Sequence, residues 1–159
     1  MVGADGGSRN EGAGGRPEGA AVARETHRVP GTDAGVRQAA DALERFAAGC
    51  GIAAEIRWRV LVALDEALSN VVHHGYAGQS GEVEVMFAVS DTSLTIAVSD
   101  TAPPFNPLLA PQADTTVSLS SRRVGGLGLT LVRALMDDVQ YERREGHNRL
   151  VLVRRLRHD

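Results

Sequence analysis

Apolar residues in this chain keep a helical period from Val36 to Val72 and take a strand pattern over residues 82–99. That switch divides the fold into a helical layer and a sheet. Val36, Ala39, Ala40, Leu43, Phe46 and Ala47 recur at helical spacing, which predicts a helix capped by Thr32 or Asp33 and ended by Gly49 and Gly51. Ile56, Val60, Leu64, Ala67, Leu68, Val71 and Val72 predict a longer helix from about residue 53 to 74. Gly75 to Gly81 reads as a loop. Glu82–Val89 alternates and then turns uniformly apolar, Ser93–Ser99 reads as a second strand, and Ser90-Asp91-Thr92 suits a hairpin between them.

Ahead of the first helix, Thr26–Val29 reads as a short edge strand ended by Pro30-Gly31. Residues 101–124 have no period, and a loop that long inside a domain is usually either functional or a misassigned element. Gly125-Gly126-Leu127-Gly128 then opens a helix to about Asp138, and strands Val139–Arg144 and Arg149–Leu156 join through Gly146-His147-Asn148. The expected class is α+β: a two-layer sandwich with helices packed on one face of a mixed, mostly antiparallel sheet.

Composition sets the limits on function. A chain of 159 residues suits one domain. Residues 1–24 are rich in glycine and poor in large apolar side chains, so they read as a disordered tail, with the domain spanning 25–157. No apolar run is long enough to cross a bilayer. The single Cys50 makes no internal disulfide and no signal region is present, so the expected compartment is cytoplasmic. All 17 basic residues are arginine, which excludes chemistry that needs a P-loop or Schiff-base lysine. A net charge of −3 disfavours nucleic acid as the main partner. The arginines from Arg143 to Arg157 read as charge that protects a strand edge.

Glu66, Asn70 and His74 are spaced four apart on the second helix and share a face. Asparagine is a poor residue in mid-helix, and its amide oxygen is a hard donor suited to Mg²⁺. A glutamate one turn away is placed to act as a base. His73 and His74 do not make a zinc pair, because neighbours on a helix point apart and the H-E-x-x-H arrangement is absent. Asp100 closes an apolar strand, where it either caps the turn or accepts a hydrogen bond from a ligand amine at the floor of a pocket. Glycines before a helix let phosphate approach its free N–H groups.

Three stretches in order carry a resemblance: Glu66-Ala67-Leu68-Ser69-Asn70 through Tyr76, Asp100-Thr101-Ala102-Pro103-Pro104-Phe105-Asn106-Pro107, and Gly125-Gly126-Leu127-Gly128 through Asp138. They are similar to the N box and the two glycine boxes of the GHKL (Bergerat-type, histidine-kinase-like ATPase) superfamily. Within it, the chain resembles the anti-sigma-factor serine/threonine kinases of bacterial partner-switching systems. The resemblance implies ATP and Mg²⁺ as cofactors, with Asn70 on the metal, Asp100 reading the adenine amino group, and Gly126 and Gly128 facing phosphates. His74, Phe105, Arg123 and Leu127 complete the implied nucleotide contacts, and Glu66 would activate the acceptor hydroxyl.

The implied partners are an anti-sigma factor antagonist as phosphoacceptor, a sigma factor, and a second copy in a homodimer. Arg37 on the first helix is the candidate partner contact. Ala102 departs from the family glycine; a methyl there costs affinity if the position needs positive φ or close approach to the base. Asn106 replaces an Asp, and Asn148 stands near a position that is Thr in many relatives. The rival reading is a binding module of the same fold with little or no transfer activity.

Overall fold

The structure, a computed structural model, describes residues 21–109 and 126–156. The order is β1 (Ala23–Pro30), α1 (Asp33–Gly49), α2 (Ala54–Asn70), a π-helical turn (Val71–Tyr76), β2 (Glu82–Val89) and β3 (Ser93–Asp100). A short 3-10 turn (Pro107–Leu109), α3 (Gly126–Leu135), β4 (Asp138–Arg144) and β5 (His147–Arg155) follow. The five strands form one sheet in the order β1-β2-β3-β5-β4, and all four pairings are antiparallel.

Alternation along each strand sends one set of side chains to the helices. Val83, Val85 and Phe87 of β2, Leu94, Ile96 and Val98 of β3, and Leu152 of β5 are buried against Leu43, Phe46, Val60, Leu64 and Leu68 of α1 and α2. α1 lies on β1 and β2, α2 lies beside it over β3, and α3 packs on α2. The α+β sandwich is therefore as expected, with its helical layer on one face.

Local chemistry sets the boundaries. Of the two candidate caps it is Thr32 that acts, its Oγ1 accepting the Gly35 N–H at 3.2 Å. A Cβ on Gly35 would meet the Pro30 carbonyl oxygen at 1.8 Å, so α1 can start against the end of β1 only with glycine there. β1 begins at Ala23, earlier than its pattern suggests, because Ala23 and Arg24 still pair with Val89 and Ala88. α3 ends at Leu135, and Asp138 already belongs to β4. The β4–β5 turn is Glu145-Gly146, both at positive φ as a two-residue hairpin of this hand requires.

The second helix departs most from expectation. Its α-helical part stops at Asn70, and the chain continues as a π-helix in which the Ala77 N–H reaches back to the Val72 carbonyl at 3.2 Å. The widened turn buries Val72 and Tyr76 and leaves His73 and His74 outside the core. Such turns are common at functional sites. Residues 1–20, most of the expected tail, and residues 110–125, with Arg123 and much of the expected long loop, lie outside the described residues.

Candidate functional site

The α-to-π junction at Asn70 and the end of β3 at Asp100 face the same cleft. Asn70, Asp100, Phe105, Tyr141 and Asn148 line it, with Val71 and Gly75 from the π-turn. Its free volume is about 30 Å³, room for about one water. The apolar residues Ala67, Val98, Pro107 and Leu150 form the rest of the wall, which keeps the polar groups in a low-dielectric setting.

Tyr76 ties the two sides together. Its hydroxyl donates to the Glu82 carbonyl at 2.6 Å and accepts the Thr101 N–H at 3.2 Å. One side chain thereby joins the π-turn to the start of β2 and the residue after Asp100. The ring lies so close to Gly81 that a Cβ there would stand 2.2 Å from it, which explains a glycine at that point of the loop.

Asn70 is 8% exposed, and among the described residues no hydrogen bond engages its amide. Asn70 lines the cleft, so its amide is open to a group that enters there. A lone amide oxygen on a cleft wall fits Mg²⁺, which takes few protein ligands and shares phosphate oxygens. Asp100, 6% exposed, accepts through one carboxylate oxygen, Oδ1, from the Ala102 N–H at 3.0 Å and from Asn148 Nδ2 at 2.9 Å. No described donor reaches Oδ2, which leaves that oxygen for a ligand. Asp100 thus closes the turn with Oδ1, the first of the two roles read from the sequence, and the residue lines the cleft.

Asn148 is the residue whose part the sequence reading missed. Its Nδ2 also donates to the carbonyls of Ala102 and Pro103 at 3.1 and 3.2 Å, while its Oδ1 accepts from Tyr141 Oη at 2.6 Å and Arg143 Nη1 at 3.0 Å. Acceptors surround one end of the amide and donors the other, so only one orientation satisfies it. Arg143 reaches the Ala102 carbonyl too, at 2.9 Å. The signal was present in strand alternation: Tyr141 and Arg143 both lie on the helix side of β4, as Asn148 does on β5.

His74 stacks on Phe105, ring centroids 6.1 Å apart and planes 22° apart, so the pair flanks the cleft. Between Asn70 and His74 the chain runs as a π-helix, where an α-helix was expected. Glu66, half-buried one turn before Asn70, is outside the cleft lining. Burial, and next the charge of Asp65, push its carboxyl pKa up. Gly126, Leu127 and Gly128 open α3 as expected, while Arg123 lies outside the described residues.

The departure at Ala102 has a structural explanation. Among described residues only Ala77 and Glu145 combine positive φ with a side chain, so position 102 does not need glycine. Its methyl is buried and points at Gly75, whose own Cβ would stand 3.2 Å away. The alanine methyl occupies the space beside Gly75, and the cleft lining does not include Ala102.

An antiparallel sheet with one helical layer, and a cleft floored by a buried carboxylate where helix and sheet meet, define an ATPase-type sandwich. The model of the histidine kinase-like ATPase domain matches residues 29–154, and the chain belongs to that family, as its three boxes led one to expect. The chain is 30% identical over 112 residues to the serine/threonine-protein kinase BtrW of Bordetella bronchiseptica, covering 70% of this chain and 79% of the relative. It is 32% identical over 109 residues to the serine-protein kinase RsbW of Listeria monocytogenes, covering 65% and 69%. Among solved structures, part of a chain that holds the RsbU and RsbW domains of Rv1364c from Mycobacterium tuberculosis has the same fold, with a TM-score of 0.62 and 20% identity over 84% of this chain. The match spans 32% of that longer chain.

Proposed function

We propose that the chain is an ATP-dependent protein-serine/threonine kinase of a partner-switching system. It would phosphorylate a small anti-sigma antagonist, whose unphosphorylated form competes with a sigma factor for the chain, and would hold the sigma factor once that antagonist is phosphorylated. The observation that carries the reading is the pairing of two ligand-ready groups in one cleft: the unengaged amide of the buried Asn70, and Asp100 with Oδ2 free of described donors. The names of the relatives supply the acceptor class, serine or threonine of a protein.

In this reading Asp100 accepts a hydrogen bond from the adenine amino group, and the apolar wall takes the base. Asn70 would hold Mg²⁺, which when bound neutralises charge on the phosphate oxygens. The N-terminus of α3, opened by Gly126 and Gly128, offers N–H groups to the phosphates. Glu66 accepts the proton of the acceptor hydroxyl; its raised pKa makes it a better base than an exposed glutamate. Arg37, exposed on α1, is the candidate contact for the protein partners.

The test is a pull-down from the native cell with and without ATP, followed by transfer from γ-labelled ATP to whatever co-purifies. Label on a serine or threonine of a small bound protein supports the kinase. ATP binding with partners retained but no transfer to any of them favours the binding module, and Arg37→Ala with both partner affinities intact removes α1 from the contact surface.

A further inference from the structure

The apolar row that β5 sends toward the helices ends in a charge. Leu150 and Leu152 are buried on that face, and Arg154 follows them by strand alternation. The sequence groups it with arginines that shield a strand edge, but β5 is an interior strand, between β3 and β4. Only 21% of the Arg154 side chain is exposed, and its Nε is buried with no hydrogen-bond partner. An unpaired buried donor lowers stability, and an apolar residue in the row would avoid that cost.

What the guanidinium does is hold the end of α3. Its Nη1 donates to the carbonyl of Leu135, the last residue of that helix, at 3.4 Å and lies 3.3 Å from Asp137 Oδ2. The same Oδ2 accepts the Arg155 N–H at 2.7 Å, and the Asp137 N–H donates to the Val153 carbonyl at 2.8 Å. The Leu135 carbonyl is one of those a helix leaves unpaired at its C-terminus, and a cation there also meets the negative end of the dipole. One charge pair and two backbone groups thereby pin the C-terminal end of α3 to β5.

In the kinase reading the other end of α3, opened by Gly126 and Gly128, faces the phosphates. Asn148, six residues before Arg154 on the same face of β5, holds Asp100 at the base end. Six residues of strand span about 20 Å. One strand therefore carries the supports for both ends of the site.

We infer that Arg154 is a positioning residue: by fixing α3 to β5, it sets where the phosphate-facing end of that helix lies relative to Asp100. The inference rests on the nucleotide reading of the cleft. Its ten residues make α3 about 15 Å long, so a tilt of about 10° at the anchor moves the N-terminus by about 2.6 Å. An N–H···O bond does not survive a displacement of that size.

Isothermal titration of the full chain with adenosine, ADP and ATP, each with Mg²⁺, separates aim from general stability. Arg154→Gln should bind adenosine as the wild type does and ATP at least ~10-fold more weakly, with ADP between, because only the phosphates depend on α3. Arg154→Lys keeps the charge without the planar fork and should recover part of the loss. Asp137→Asn keeps an acceptor for the Arg155 N–H but gives up the charge that orients Arg154. It should show the same order of losses in milder form. Without nucleotide, amide hydrogen exchange in α3 should be faster in Arg154→Gln, with β2 and β3 unchanged.

Should Arg154→Gln fold poorly by circular dichroism, Arg154→Lys carries the same comparison, with ATP binding reduced and adenosine binding kept. A wild type that binds none of the three ligands overturns the nucleotide reading and this inference with it. Wild-type binding with equal losses for adenosine and ATP in the variant, or with ATP affinity and α3 exchange both unchanged, overturns this inference alone.

Discussion

Asn148 donates through Nδ2 to Oδ1 of Asp100 at 2.9 Å, and both side chains are buried. The carboxylate is therefore held by a group that is itself held, since Tyr141 and Arg143 fix the other end of the amide. Asn148→Ala leaves the Tyr141 hydroxyl and the Asp100 oxygen each short of a partner. Urea denaturation should show a loss of about 1–3 kcal/mol, the cost of orphaned buried groups. Calorimetry should show ATP binding weakened about ten-fold, and Asn148→Thr, which keeps one donor, should recover part of it.

The contact between Ala102 and Gly75 makes a second pair of predictions. Ala102→Gly should leave ATP affinity unchanged, because the methyl is outside the cleft lining, while stability falls by about 1 kcal/mol through lost packing and added backbone freedom. Gly75→Ala should also destabilise, since its methyl would crowd that of Ala102. The double variant should be more stable than the sum of the two losses implies, and a double-mutant cycle in urea measures the difference.

Asn70→Ala should remove the metal-dependent part of ATP binding. Isothermal titration with and without Mg²⁺ should separate the wild type from the variant only when Mg²⁺ is present. Equal affinities throughout would place the metal on another residue.

For Glu66→Gln the expected loss is in transfer rate, at least ~10²-fold, with ATP and partner binding nearly unchanged. The raised carboxyl pKa places the acid limb of the wild-type rate above the usual glutamate range. Asp65→Asn should shift that limb to lower pH, because the neighbouring charge is the second cause of the rise after burial. Linkage gives the stability sign. The folded chain retains the Glu66 proton to higher pH than the unfolded chain, so this group's contribution is full below the ordinary glutamate value and declines as pH rises through the folded one. Glu66→Gln should abolish that decline in thermal melts taken across the acid range.

Much of the framework could be read from residue order because the decisive signals were local. Glu82–Val89 has the bounds its alternation predicts, and α1 starts at the capping threonine and ends at the expected glycine. Asn70 and Asp100 were legible for another reason: a polar residue in an apolar helix and a carboxylate ending an apolar strand are each out of place. The π-turn was not legible, since one extra residue in a hydrogen-bond ring leaves no compositional trace. Nor was the role of Asn148, which depends on β5 pairing with β3 across a long sequence separation. Ala102 looked like a defect only while Gly75, its counterpart on the other wall, was out of view.

The Tyr76 hydroxyl gives the cleft one fixed jaw. Because it clasps Glu82 and Thr101 together, the helix end bearing Asn70 and the strand end bearing Asp100 move as a unit. Asn148 locks β5 to the same unit. Widening the cleft for a nucleotide therefore falls to the segment carrying Phe105 and Pro107, the wall outside that clasp. The two groups that would read the ends of a nucleotide are aligned before it arrives, so ordering them against each other costs nothing at the moment of binding. Tyr76→Phe, which keeps the ring and removes the clasp, would turn a preset gauge into one that each ligand must reset.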